Sequence, residues 1–270
     1  MSTSAIDSKD IQLSAGDERR ISRLRPYNLI VGLIHLAQAI AVLWLSNDFA
    51  LPITGTFSAG EPGAGFQDPE VLWDVPIGPL VAVFLFLAAI DHLLMAAPGI
   101  WPWYAQNLRR GINYARWWEY TFSASIMIVL IALITGVSDA GAIIAIVGAN
   151  MAMIFFGLDM EIFNRDRSKV NWSPFLFGCV AGIFPWIVIG FQFIGTETRL
   201  PEGESIPGFV YGIVISLFIL FNSFAINMVL QYRKIGPWRN YLFGEAAYIL
   251  LSLIAKTALA WQVFTATLID

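Results

Sequence analysis

Charge, cysteine and histidine are all scarce in this sequence, and each scarcity excludes something. Charged residues make up only 13% of the chain, against roughly 25% in an average soluble domain, so an ordinary water-soluble surface is excluded. The single cysteine, Cys179, cannot close an intramolecular disulfide; in its apolar run it reads as a packing residue. The two histidines, His35 and His92, have no further ligand at metal-site spacing, so no metal centre is expected. No nucleophile and base constellation or phosphate loop occurs, so no enzyme is expected, and no nucleic-acid partner either. The first 26 residues are polar and lack the short apolar core and small-residue cleavage site of a secretory signal. The first spanning helix is therefore expected to direct insertion.

What is abundant is apolar and aromatic. Hydrophobic residues make up 57% of the chain, with ten Trp, eight Tyr and twenty Phe, a load suited to lipid interfaces and to the wall of a buried apolar ligand site. A hydrocarbon core about 30 Å thick needs about 20 apolar residues of helix. Seven stretches meet that length, at 27–46, 77–97, 113–135, 140–162, 174–195, 208–231 and 241–265. Pro79 and Pro174 suit the first turns of the second and fifth. The fold class expected is all-α, a bundle of seven transmembrane helices. Its parts are a polar tail (1–26), a membrane domain (27–266) and a short tail (267–270). The first loop, 47–76, is longer than joining two helices requires and is compatible with a short strand pair around LPITGTF.

Lys and Arg set the orientation, because cytoplasmic loops retain them. Lys9, Arg19, Arg20, Arg23 and Arg25, then Arg109, Arg110 and Arg116, then Arg165, Arg167 and Lys169, then Arg233, Lys234 and Arg239 make 14 of the 16 basic residues. All fall on one side of an alternating seven-span path. The other side holds only Arg199 among Asp48, Glu61, Asp68, Glu70, Asp74, Asp139, Glu197, Glu202 and Glu204. The amino terminus is thus expected to be cytoplasmic, with the carboxyl terminus, the first loop and the short tail extracellular, in a multi-pass protein of the cell membrane.

The remaining basic residue, Lys256, sits deep in the seventh span, in LLSLIAKTALAWQVF. An ammonium there costs at least a few kcal/mol unless paired, so it should face the interior with a partner. Lys256 lies 11 residues past Glu245 and Glu119 lies 9 past Arg110, which at about 1.5 Å per residue puts the two at similar depth. Asp91, Asp159 and Glu245 fall near helix ends and read as interfacial. A deep amine beside a deep carboxylate suits condensation with an aldehyde, giving a Schiff base whose positive charge the carboxylate stabilises. Retinal is the aldehyde that fits a membrane bundle. A structural ion pair or a transporter's ion site stays open on charge alone.

At these residues the sequence resembles the heliorhodopsins, retinal proteins with a cytoplasmic amino terminus. The resemblance spans essentially all seven helices and rests on SLIAK around Lys256, RWWEYTFS around Glu119, and FNSFAINMVLQY at 221–232. It implies that Lys256 binds all-trans retinal and that Glu119 is the counterion. Ser123 and Ser252 would hydrogen-bond near the Schiff base, and Tyr120, Met127, Met153, Trp186 and Phe221 would line the polyene and ring. His35 and His92 would share a polar cavity able to receive the Schiff-base proton, and Arg116 would join a polar network on the cytoplasmic side.

The function expected is that of a light sensor whose photoisomerisation drives a slow conformational change without net pumping. The alternatives are a light-gated proton or ion channel or pump, and a retinal-free transporter using Lys256 and Glu119. A pump's second carboxylate would fall at Leu130, and Ser252 replaces another. Gly141, Ala145, Gly148 and Ala149 in the fourth span permit close helix approach. With the resemblance, they lead to an expected homodimer in the lipid bilayer, acting on a cytoplasmic signalling partner that nothing in the sequence identifies.

Overall fold

The computed structural model describes residues 15–267. The expected carboxyl-terminal tail beyond Thr267, and residues 1–14 of the amino-terminal tail, lie outside the described residues. Helix α1 (Ala15–Leu45) leads into a hairpin of β1 (Ala50–Gly55) and β2 (Glu70–Pro76). Then come α2 (Ile77–Ala96), the short α3 (Trp101–Arg109), α4 (Tyr114–Ile134), α5 (Ala140–Asn164) and α6 (Ser173–Glu197). Helix α7 (Gly208–Tyr232), a 3-10 turn (Gly236–Arg239) and α8 (Tyr241–Thr267) complete the chain. Among the described residues, all the α-helices except α3 are long and apolar enough to cross a membrane, which makes seven.

Length and polarity explain where these elements fall. Asn113 and Asp139 cap α4 and α5, their side chains accepting the backbone N–H groups of Arg116 and Ala142, the partner that an exposed helix start needs. The first helix departs from expectation. It begins at Ala15 and runs through Pro26, where a polar tail was expected up to residue 26. Ile21 and Leu24 give this extension a buried face that packs on Tyr104, Ala105 and Leu108 of α3 and on Leu242. Its polar face is pinned by an ion pair from Glu18 to Arg109, by Arg25 donating to the Ala96 carbonyl at 2.9 Å, and by Asn240 donating to Asp17 at 2.6 Å. Residues 15–26 of the expected polar tail are therefore helical, and together with α3 they cover one end of the bundle.

At the other end the long loop is a two-stranded antiparallel sheet, pairing Ala50 with Pro76 and Gly55 with Glu70. Its outer turn uses Gly60, Gly63 and Gly65 at φ of 141°, 94° and 89°, backbone that side-chain-bearing residues avoid. Thr54 ties the hairpin to the α4–α5 connection, its N–H donating to the Ser138 carbonyl at 2.8 Å.

Within the bundle, α1 packs on α2 and α8, α2 on α4, α4 on α5, α5 on α6, and α7 on α8. Helix α4 is the most enclosed, and α6 and α7 the least. The last two meet through aromatic rings, Trp186 against Phe218 and Phe221 and Phe193 against Tyr211. An apolar core including Phe84, Leu85, Ile128, Leu130, Ile131 and Leu259 fills the interior toward the hairpin. Polar residues gather toward the α3 end.

Candidate chromophore site

Helix α8 delivers Lys256 and α4 delivers Glu119 to the same depth. The Lys256 side chain is almost entirely buried; its Nζ donates to Ser252 Oγ, one turn earlier on α8, at 2.8 Å and to Glu119 Oε2 at 3.3 Å. The Tyr120 ring lies 5.0 Å from the same nitrogen, close enough for its π face to stabilise the cation. Glu119 Oε1 and Ser123 Oγ are buried and find no hydrogen-bond partner among the described residues. Ser123 thus lies close by in sequence but bonds to neither member of the pair.

From Lys256 a cavity of about 370 Å³ runs between α4, α5, α6, α7 and α8. Tyr120, Met127, Met153, Trp186 and Phe221 all line it, together with Trp117, Phe175, Phe218 and Phe224. Phe218 and Phe221 both present edges to Trp186, with ring centres at 5.1 and 5.6 Å. Small residues make room for this wall. A Cβ on Gly182 would fall 2.3 Å from Met153 Sδ, and one on Gly157 would fall 2.3 Å from the Trp117 ring. Cys179 corrects the packing expectation: it is exposed on the outside of α6, at the edge of the same cavity.

A second, smaller cavity of about 20 Å³ adjoins the pair on its α3 side, lined by Asn28, Asp91, His92, Tyr104, Asn113, Arg116, Glu119, Glu245 and neighbouring rings. It has room for about one water. His92 Nδ1 lies 2.7 Å from Asn28 Oδ1. The His35 ring stacks on His92 with centres 5.8 Å apart and planes within 7°. His35 is fully buried with neither ring nitrogen bonded, and it backs His92 without lining the cavity.

Next to this cavity Arg116 bridges two buried carboxylates, Glu161 of α5 and Glu245 of α8. Glu161 Oε2 also accepts from Trp117 Nε1 at 2.7 Å and from the Asn113 N–H at 2.9 Å, and Glu245 accepts from Asn113 Nδ2 at 2.8 Å. The Tyr248 and Trp117 rings flank the guanidinium at 4.0 and 4.7 Å. Two expectations are corrected here. Glu245 is not peripheral but 1% exposed, and Asp91 faces a cavity shared with Glu119. The cause is the covering layer of α3 and the α1 extension, which moves the water boundary outward from the helix ends. Asp159 lines neither cavity. Glu161 was missed because it sits in the last turn of its span, in the run MEIFNRDR, where carboxylates are normally interfacial. The signal that points to it is the need of a buried Arg116 for partners.

Seven membrane-length helices around a buried amine at the end of an apolar cavity make up a fold that known rhodopsin structures share. The transmembrane domain of the rhodopsin phosphodiesterase of Salpingoeca rosetta superposes with a TM-score of 0.61 at 13% identity, covering 93% of this chain and 88% of that one. A light-driven proton pump from Leptosphaeria maculans gives 0.60 at 17% identity over 91% and 94%. The red light-activated channelrhodopsin Chrimson gives 0.57 at 12% over 93% and 79%. None of the curated proteins matches the chain. The model of the heliorhodopsin family matches residues 24–268, and the chain belongs to that family. It is a multi-pass membrane protein of a retinal-binding, photoreceptor-type class. The phosphodiesterase just named belongs to a different family.

The residues present fit retinal. The cavity wall is apolar, its one amine is buried at the end, and an unpartnered carboxylate oxygen waits beside that amine.

Proposed function

We propose that the protein is a light sensor in which Lys256 holds all-trans retinal, Glu119 balances the positive charge on the Lys256 nitrogen, and light drives a slow conformational change without net ion transport. The observation that carries this reading is the buried pair of Lys256 Nζ and Glu119 Oε2 at 3.3 Å, placed where an apolar cavity begins. Bound there, retinal supplies a light-absorbing polyene whose aldehyde condenses with the Lys256 amine and which isomerises on excitation.

The protein's own residues do the rest. Glu119 keeps the Lys256 nitrogen protonated by Coulomb attraction in a site shielded from water. Ser252 fixes the direction of that nitrogen. Tyr120, Met127, Met153, Trp186 and Phe221 exclude water and shape the polyene site. His92, bonded to Asn28 and backed by His35, offers a neutral acceptor near the amine for a proton that leaves and returns.

The same reading places the amino terminus and the basic loops in the cytoplasm and the hairpin outside. Its working state in the cell membrane is a homodimer formed on the small-residue face of α5, where Gly141, Ala145 and Gly148 are exposed, and its output passes to a cytoplasmic partner. The test is to add all-trans retinal to purified protein and then hydroxylamine under light. A visible band that bleaches is expected. A colourless product would leave the Lys256–Glu119 pair as a structural or transport site.

A further inference from the structure

Asp91 is the one carboxyl of the small cavity with no counterpart. Glu119 is bonded to Lys256, and Glu245 to Arg116 and Asn113, whereas Asp91 makes no hydrogen bond or ion pair with any described residue. The polar groups facing the cavity with Asp91 are Asn28 from α1, His92 from α2, Tyr104 from α3, Asn113 at the cap of α4, Arg116, Glu119 and Tyr120 from α4, and Glu245 and Tyr248 from α8. His35 stacks behind His92, and Lys256 lies beyond Glu119. The charges in and around the cavity are already unbalanced. Lys256 and Arg116 supply two positive charges against three negative ones on Glu119, Glu161 and Glu245. An ionised Asp91 would add a further uncompensated anion inside a membrane bundle, where an unpaired charge costs several kcal/mol.

We infer that Asp91 holds a proton in the resting protein and, through the cavity, donates a hydrogen bond toward the unpartnered side of Glu119. Asp91 is then a positioning residue: it tunes how strongly Glu119 balances the charge at Lys256. At neutral pH the acid carries no charge of its own and acts on the Lys256 nitrogen only through that hydrogen bond, which an Asn amide can also donate. Once its proton is removed by alkali, it adds a second negative charge nearby. The effect on colour rests on the retinal reading above; the protonation of Asp91 does not.

Infrared spectra of the full chain in lipid, with and without retinal, test both parts. Protonated carboxylic acids absorb in a carbonyl region where carboxylates are silent. Without retinal, the wild type is expected to show such a band, which isotopically labelled aspartate shifts and Asp91→Asn removes. With retinal, Asp91→Asn should match the wild-type absorption at neutral pH and lack an alkaline blue shift that the wild type shows. A band that persists and shifts in labelled Asp159→Asn protein, where the other Asp of the spans is removed, assigns the proton to Asp91 even where Asp91→Asn does not fold. A carbonyl region that neither labelling nor the substitution changes overturns the inference, as does a red shift of Asp91→Asn at neutral pH, which marks loss of an ionised group. Failure to form any pigment would sink the retinal reading, while the infrared band of the retinal-free protein would still decide Asp91.

Discussion

Among the described residues, Lys256 is the one buried Lys; it is 3% exposed, and its only bonds go to Glu119 and Ser252. An amine in that position is either a reaction site or a costly ornament. Lys256→Ala and Lys256→Arg are therefore expected to abolish the visible band while the helical content stays near wild type. Absorption and circular dichroism of the purified variants check this, and a retinal-dependent band surviving in either variant would end the assignment. Glu119→Gln removes the nearest negative charge from the same nitrogen. Either the protonated pigment shifts to the red, or the nitrogen loses its proton with a large blue shift, depending on whether an anion fills the site. An unchanged spectrum with an unchanged acid–base titration would move the counterion to Asp91. It would also contradict a protonated Asp91.

At the scale of elements, the Arg116 cluster ties α4, α5 and α8 together where the core toward the hairpin does not reach. Removing a cation that is buried between two carboxylates leaves both uncompensated, a loss of about 3–5 kcal/mol where such pairs have been broken. Arg116→Gln should lower the thermal unfolding temperature strongly. Arg116→Lys should fall between, because an ammonium lacks the planar fork that reaches both carboxylates. Equal stability of Arg116→Gln and wild type would make the cluster incidental.

The same elements show how far the sequence could be read. Spans such as 77–97 and 174–195 lie within two residues of Ile77–Ala96 and Ser173–Glu197, because lipid demands a long apolar run and little else. The Lys256–Glu119 pair was legible for the same reason: a charge inside such a run must have a partner. What escaped was the layer at the bundle end. Trp101–Arg109 is a nine-residue helix that buries only Tyr104, Ala105 and Leu108, too short for a span, and the charged run before residue 27 hid the start of α1. Without that layer Asp91 and Glu245 looked exposed. The burial of Glu245 and the partial burial of Asp91 depend on contacts between distant segments, such as Leu24 with Tyr104, which no local pattern encodes. The five residues assigned to the chromophore wall came from resemblance; the structure places all five on one cavity, but periodicity alone would not have separated them from ordinary packing residues.

At the scale of the whole molecule, the asymmetry of charge is the main handle on orientation. Basic residues at the α3 end, including Arg109, Arg110, Arg165 and Arg233, oppose the acidic hairpin end, and the positive side is retained in the cytoplasm. A protease or tag at Met1 should be reachable only from the cytoplasmic side. Access from outside would reverse the topology and with it the proposed side of the signalling partner.

Orientation also frames the question of transport. A net pump needs a directed series of groups, so that a proton leaving the Lys256 nitrogen on one side is replaced from the other. Toward the hairpin that series is missing. Leu130, eleven residues beyond Glu119, is fully buried in apolar packing with Ile128 and Ile131, and Ser252 offers a hydroxyl bonded to the amine instead of a second charge. On the α3 side the polar groups are plentiful, but Tyr104 is 2% exposed and α3 covers the small cavity. On the proposed reading, a proton released toward His92 is therefore expected to find an acceptor and no exit on the opposite face, to return to its origin, and to be outlasted by a displacement of helices. Cells or proteoliposomes containing the protein should show no uncoupler-sensitive pH change on illumination and no photocurrent at zero driving force. A sustained current under that condition would make the protein a pump and require a hydrated path through the packing around Leu130.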